Sequence, residues 1–318
     1  MNDNIKVSVF CLAYNHEKYI RDCLEGFVNQ KTSFKYEVLV HDDASTDGTA
    51  DIIREYAEKY PEIIKPTLQT ENQYTRGGRM ISRFLLPRAQ GKYFAWCEGD
   101  DCWIDENKLQ RQVDFLDGNE DFAACYHRVE FHKLSENKVT VIPEMGGESR
   151  EFTADEIIRR GAVFQLSSAM MRADLYKAMP ECFRAKGFGD VQLFMYSAMC
   201  GRCYVLHDVM SMYRHGTEGS YTERFKNANL EKKIAHEIEY ISMLERVNKH
   251  YEYKYDEPIS YITGRLQFNI CVFSNDKKGM KKFKDKPYYA EYKMGKRVAF
   301  VKKRLPWLVK LINKGRGK

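Results

Sequence analysis

At 318 residues, with 43% hydrophobic and 13% aromatic side chains, the chain can bury the core of one large domain or two modest ones and needs no disulfide staples. No stretch approaches the roughly 18 uncharged apolar residues of a membrane span, and the opening MNDNIKVSVF lacks the basic and apolar regions of a secretion signal, so a cytoplasmic protein is expected. The formal charge of +6 hides a division: residues 277–318 hold sixteen Lys and Arg against Asp285 and Glu291, a net +14 that leaves −8 on residues 1–276. Two such parts call for different partners.

In chain order, short apolar runs alternate with amphipathic stretches, the pattern of βαβ units and a mainly parallel sheet. Lys6 to Leu12 reads as a buried strand and about 19–30 as a helix with Ile20, Leu24, Phe27 and Val28 on one face. Tyr36 to His41 is a second strand, followed by a helix to Tyr60 with Ser45 or Thr46 as cap. A strand over 63–68, a helix over 80–89 and a strand over 93–97 come next. After a helix over 107–119, residues 122–133 and 138–142 read as a hairpin. A short helix near 154–160, a strand near 165–172 and a helix from Asp190 complete the first part. Beyond Thr222 the strand signal fades, and 225–250 and 259–273 read as helices, which places a boundary between residues 1–222 and a helical, basic extension over 223–318.

Nine cysteines, an odd number scattered through apolar segments, fit a reducing compartment. Cys200 and Cys203 in CGRC have redox spacing, yet without a second pair or a nearby histidine the motif reads as a helix-to-strand turn at Gly201.

Two acidic clusters follow strand ends, where open α/β sheets form their ligand crevice. Asp42, Asp43 and Asp47 precede a helix, and such carboxylates either cap it or accept hydrogen bonds from a ligand's imide and hydroxyl groups. Glu98, Asp100 and Asp101 repel one another unless a cation or a donor network compensates. Mg2+ or Mn2+ takes a few carboxylate oxygens and keeps its other positions for water and phosphate, so an E-x-D turn suits a diphosphate clamp; the alternative is a solvated acidic turn.

The segments VSVFCLAYNHEKYIRDCLEGFVNQ, EVLVHDDASTDGTADII and GKYFAWCEGDDCWIDENKLQRQVDFL resemble, in order and separation, the opening blocks of the family-2 glycosyltransferases. The resemblance is specific through about Leu116, looser to about Tyr221, and absent from Arg224 onward. It implies a GT-A (Rossmann-like) α/β fold: a mainly parallel central sheet flanked by helices, with a C-terminal helical extension. It further implies inverting, metal-dependent transfer of a sugar from a nucleotide sugar, a UDP-sugar, to a glycan or lipid-linked acceptor in cell-surface polysaccharide synthesis. Tyr14 resembles the residue that stacks on the donor's base and Asp43 the acid that binds the uracil imide, with Ala13, Asn15, Glu17 and Asp42 around the same pocket. Asp100 matches the metal-binding aspartate of the D-x-D motif; Glu98 and Gly99 replace its first two residues, leaving Glu98 either a direct Mg2+ or Mn2+ ligand or a sugar contact through water. Asp190 in GFGDVQLFMY resembles the general base, and Arg214 and His215 in MYRHGTEGSY the late segment that closes over the donor diphosphate.

Two rival readings are weaker. A nucleotidyltransferase calls for a glycine-rich basic loop where AYNHEKY stands, and a non-catalytic nucleotide-sugar or membrane-binding protein has no use for Asp100 and Asp190 together. In the basic tail, Val298, Val301, Leu305, Leu308 and Ile312 recur at helical spacing among lysines, interrupted by Pro306 and followed at Trp307 by an interfacial aromatic. Such a segment either lies on an anionic membrane, at the inner face of the plasma membrane, or packs on the protein's own acidic body. No zinc-ligand, helix-turn-helix or RNA-binding aromatic pattern accompanies the charge, so no nucleic-acid partner is expected.

Overall fold

A computed structural model describes residues 4–185 and 188–304, with side-chain environments through Lys296. Two compact units divide the chain, Met1–Asn227 and Ala228–Lys318. The first runs β1 (Val7–Ala13), α1 (Ile20–Val28), β2 (Tyr36–Asp42), α2 (Thr49–Lys59), β3 (Ile64–Leu68), β4 (Tyr93–Trp96), β5 (Cys102–Trp103), α3 (Lys108–Gly118) and β6 (Phe122–Lys133). It continues through β7 (Lys138–Ile142), β8 (Arg150–Phe152), α4 (Ala154–Arg160), β9 (Met170–Arg172), α5 (Ala173–Lys177), α6 (Gly189–Cys200), β10 (Arg202–His215) and α7 (Tyr221–Lys226). The second holds α8 (Leu230–His250), α9 (Asp256–Phe273), α10 (Lys277–Lys281) and α11 (Pro287–Arg304).

One sheet runs β3-β2-β1-β4-β9-β6-β10-β5, with β7 on β6 and β8 on β10. β3, β2, β1 and β4 are mutually parallel, as the βαβ alternation requires. β2 and β4 are buried at every residue; β4 reads as a continuous apolar run, and β2 has one over residues 38–40 between buried Glu37 and His41. From β9 onward the sheet is mixed: β9 is antiparallel to β4 and β6, whereas β6 and β10 are parallel. α1 buries Ile20, Cys23, Leu24 and Phe27, a stripe of helical period, and Phe27 meets Trp103 edge-on at 4.8 Å.

Several elements differ from the sequence reading. Over 80–89 there is one π turn, Ile81–Leu85, and one 3-10 turn, Leu86–Arg88, because Pro87 has no N–H to continue an α-helix. α2 begins at Thr49, four residues past Ser45; its first N–H groups turn to Asp47, whose Oδ1 accepts from Thr49 N at 3.0 Å. The helix read over 225–250 is broken, since Asn229 accepts from Lys232 N at 2.9 Å and caps α8 as a new start. The strand near 165–172 shortens to β9 behind a 3-10 turn at Leu166–Ser168. β5, β8 and α5 are too short for periodicity to reveal. All nine cysteines are free thiols, and Gly201 makes the turn from α6 into β10. Among the described residues no helix is long and apolar enough to cross a membrane. The side chains from residue 297 onward, and all of residues 305–318, lie outside the described part, and with them most of the tail's apolar pattern.

Candidate active site

Two loops leave the carboxyl ends of the neighbouring strands β1 and β2 and are laced together. Asn15 N donates to Ser45 Oγ (2.9 Å), His16 N to Thr49 Oγ1 (2.8 Å), Glu17 N to Asp47 Oδ2 (3.1 Å), and Thr46 N to Asn15 Oδ1 (2.8 Å). Asn15 and Ala44 take left-handed backbone, φ 56° and 61°, to make the two turns. Buried Asp42 accepts from Ser45 N at 3.1 Å, and its neighbour Asp43 from Gln73 N at 2.7 Å and Tyr74 N at 3.0 Å. Asp42 and Asp47 therefore spend acceptor capacity on local turns. Asp43 fastens a loop thirty residues away, with each oxygen keeping a lone pair toward the space between. Tyr14, 40% exposed, presents an open ring beside this pair, next to Ala13, which is buried at the strand end.

The third loop follows β4. Gly99 N donates to Leu12 O at 2.9 Å and Asp101 N to Glu98 O at 3.0 Å, a tight turn pinned to β1. A Cβ at Gly99 would stand 2.9 Å from His16 Nδ1, 3.0 Å from Ile20 Cδ1 and 3.1 Å from Ala13 Cβ, so only glycine lets the acidic turn approach β1 this closely. His16 thus sits between the loops. Burial holds its imidazole below its ordinary pKa although Asp100, Asp47 and Asp42 face it, and its Nδ1 is enclosed without a hydrogen-bond partner. Gly99→Ala is expected to cost about 1–3 kcal/mol through overpacking, read as a fall in the thermal midpoint.

Behind the turn, Lys108 is wholly buried, 4.0 Å from the Trp103 ring centre and 2.7 Å from Gln112 Oε1. Burial brings its pKa down to about 7, and the titratable groups it faces are the thiols of Cys97 and Cys125 and the imidazole of His127. The acids of the turn are crowded. The Glu98 carboxyl opens on the cleft, yet it is pushed up to about 8, first by the enclosing protein and then by Asp100 and Asp190. Asp101 is buried and also held well above the usual range, with burial the main cause and Asp100 next.

Asp190, second residue of α6, lies within electrostatic reach of Glu98 although 92 positions separate them in sequence. Its Oδ1 accepts from Val191 N at 2.8 Å, and burial raises its pKa above the ordinary value. Residues from β10 and beyond close the other side. Arg214 N donates to Asp101 Oδ1 (2.9 Å), its Nη1 to Asp100 O (2.8 Å) and its Nη2 to Asp22 Oδ2 (2.6 Å). The guanidinium, 10% exposed, therefore braces the acidic turn against α1. His215 packs on Phe131 at 5.1 Å with its Nδ1 enclosed and unpaired. Two further residues that the sequence reading did not single out belong here. Buried Thr217 donates from Oγ1 to Asp100 Oδ2 at 2.7 Å, and the Tyr213 phenol is pushed up to about 12, by burial first and by Asp101, Glu98 and Asp100 in addition.

The donor set fits a hard divalent ion. Glu98 is exposed beside buried Asp100, and Asp100 keeps Oδ1 outside the Thr217 hydrogen bond. Among the described residues no three ligating side chains converge as a closed cage. An ion completed by diphosphate and water needs only one or two.

Residues 8–177, just over half of the chain, match the family described as Glycosyl transferase family 2. An uncharacterised protein of Mycobacterium tuberculosis is 34% identical over 224 residues, 69% of this chain; the match spans 63% of that relative's length. In shape, the chain is similar to Staphylococcus aureus TarS (residues 1–349) in complex with UDP-GlcNAc, at TM-score 0.54 and 20% identity over 85% of this chain and 81% of that one. It is also similar to the mannosyltransferase PcManGT of Pyrobaculum calidifontis in complex with GDP-Man and Mn2+, at TM-score 0.58 and 16% identity over 96% and 84%. The order of the loops, the mixed sheet and these matches agree: the chain belongs to glycosyl transferase family 2 and has the GT-A fold.

Proposed function

We propose that the protein is an inverting glycosyltransferase that moves a sugar from a UDP-sugar to a hydroxyl of a glycan or lipid-linked acceptor, with residues 1–222 carrying the chemistry. The observation that carries this reading is the gathering of acids from two separate segments: Asp100 and Asp190 both lie within electrostatic reach of Glu98. Tyr14 stacks on the base, Asp43 receives the uracil imide, and Ala13, Asn15, Glu17 and Asp42 frame the nucleoside. Glu98 and Gly99 border the donor sugar, while Arg214, with N–H groups beyond those used on Asp22 and Asp100, and His215 face the diphosphate. Asp190 takes the acceptor proton as the hydroxyl oxygen bonds to the anomeric carbon; the bond to the diphosphate breaks, its electron pair leaves with the nucleotide, and the configuration inverts. Burial of Asp190 strengthens it as a base at neutral pH. Asp100 and Glu98 would hold Mg2+ or Mn2+, which would supply positive charge to the leaving group. The UDP-GlcNAc bound by TarS and the GDP-Man and Mn2+ bound by PcManGT support a nucleotide-sugar donor and a divalent ion.

Calorimetric titration with UDP and with GDP, each with and without Mn2+, tests the donor. Tight UDP binding only with Mn2+ is the expected result. Preference for GDP overturns the base assignment, and no binding of either nucleotide overturns the reading as a whole.

A further inference from the structure

The second unit is electrostatically divided along its own sequence. Residues 228–276 hold six Lys and Arg against eight Asp and Glu, whereas six of the ten residues 277–286 are lysines, with Asp285 the one acid among them. Lys277, Lys278, Lys281, Lys282, Lys284 and Lys286 are all exposed. They are held outward by their neighbours. Met280 is buried with Phe268 and Tyr288, Phe283 packs on the same cluster at 5.8 Å from Phe268, and Asp276 caps α10 by accepting from Gly279 N at 2.8 Å. Among the described residues no ion pair joins any of these six lysines to an acid. The face continues into α11, where exposed Lys293 and Lys296 flank Met294, 63% exposed, while Tyr288, Tyr289 and Tyr292 turn toward the aromatic cluster.

Like charges set this close repel, and Asp276 and Asp285 beside them offset only part of that repulsion. A lysine-rich face that lacks arginine, followed on the next helix by an exposed methionine, matches the chemistry of an anionic bilayer: point charges meet lipid phosphates and an apolar side chain enters the headgroup region. Nucleic acid fits less well. Its recognition draws on arginine forks and on exposed aromatic platforms, and here residues 277–296 contain no arginine and the three tyrosines are packed inward. We infer that the lysine face of α10 and the turn into α11 is a docking surface for an anionic lipid bilayer. This inference is independent of the sugar-transfer reading, since its readout is binding alone.

The full chain is sedimented with phosphatidylcholine vesicles, and with vesicles containing about 30% phosphatidylglycerol, at about 0.1 M and about 0.5 M salt. Binding is expected only with phosphatidylglycerol and only at the lower salt. At roughly fivefold per lysine, about 600-fold for four, the K277Q/K278Q/K281Q/K282Q variant is expected to bind at least about a hundredfold more weakly, with a thermal midpoint no lower than that of the natural chain, while arginine at the same four positions retains binding. Vesicle binding by the glutamine variant equal to that of the natural chain overturns the assignment of this face. Absence of phosphatidylglycerol dependence, or tighter binding to duplex DNA or RNA than to vesicles, overturns the lipid partner.

Discussion

Asp190→Asn is expected to lower kcat by about 10²–10⁴-fold, the range set by loss of a general base, and to leave UDP affinity within about twofold, because the proposed role of Asp190 is toward the acceptor and not the nucleotide. The substitution isolates the proton. Asn retains a carbonyl oxygen that accepts from Val191 N as Asp190 Oδ1 does at 2.8 Å, so the start of α6 keeps its geometry. It also removes a negative charge from the vicinity of Glu98, which lowers the Glu98 pKa from about 8 and favours metal-dependent donor binding. A variant that binds donor as well as the natural chain and transfers only at that residual rate is therefore the expected outcome. In the natural chain the base works only when deprotonated, and burial lifts its folded pKa above the ordinary carboxylate value. The rate of transfer should then fall as pH drops through that raised value. In Asp190→Asn this acid limb disappears; retention of near-normal transfer would assign the base elsewhere.

What the sequence discloses of this site follows the range of each interaction. β1, β2 and β4 are legible because burial on both faces favours apolar-rich runs, interrupted by Ser8 in β1 and Glu37 in β2, and the acids at their ends stand out against them. The turn at Asp42 and Asp47 is also local: each carboxylate holds a group two or three residues on, which is the capping reading of the sequence. Asp43 is different. Its partners are the backbone N–H groups of Gln73 and Tyr74, in a loop where Gly77, Gly78 and Arg79 all take positive φ and periodicity says nothing. Arg214 shows the same limit. A family pattern points it toward phosphate, and only the fold reveals that α1 supplies Asp22 and the acidic turn supplies the Asp100 carbonyl as its partners. Thr217 and His16 carry no pattern, because one hydroxyl and one imidazole acquire meaning only when Asp100 and Gly99 are brought against them. The approach of Asp190 to Glu98 likewise depends on β9 inserting antiparallel beside β4, which extends the sheet toward β6 and β10 after the parallel run ends.

Asp100→Asn should abolish the Mn2+ dependence of UDP binding, lowering affinity in Mn2+ by at least about tenfold, a loss of about 1.4 kcal/mol. The amide oxygen still accepts from Thr217 Oγ1, so the variant separates the loss of charge from the loss of that contact. Asp100→Ala removes both. It leaves the hydroxyl of a buried threonine without its acceptor and should cost a further ~1–3 kcal/mol of stability. The pH dependence runs the other way from an ordinary ion pair. Glu98 has a folded pKa of about 8 against an ordinary 4.5, so in the folded state it holds its proton through a window where the unfolded chain has released it. Its favourable contribution is complete below the unfolded value and is lost as pH rises toward 8. Asp100 is the leading charged cause of that shift, and removing its charge relieves the repulsion that ionised Glu98 meets. The thermal midpoint of metal-free Asp100→Asn should therefore gain on that of the natural chain as pH is raised from about 5 to about 8. Added Mn2+ should raise the midpoint of the natural chain more at the upper end of that window than at the lower, since ionised carboxylates bind it, and should leave Asp100→Asn almost unmoved. Equal Mn2+ shifts in the two proteins would place the ion away from Asp100, and the acidic turn would then be a structural brace for β1, α1 and β10 alone.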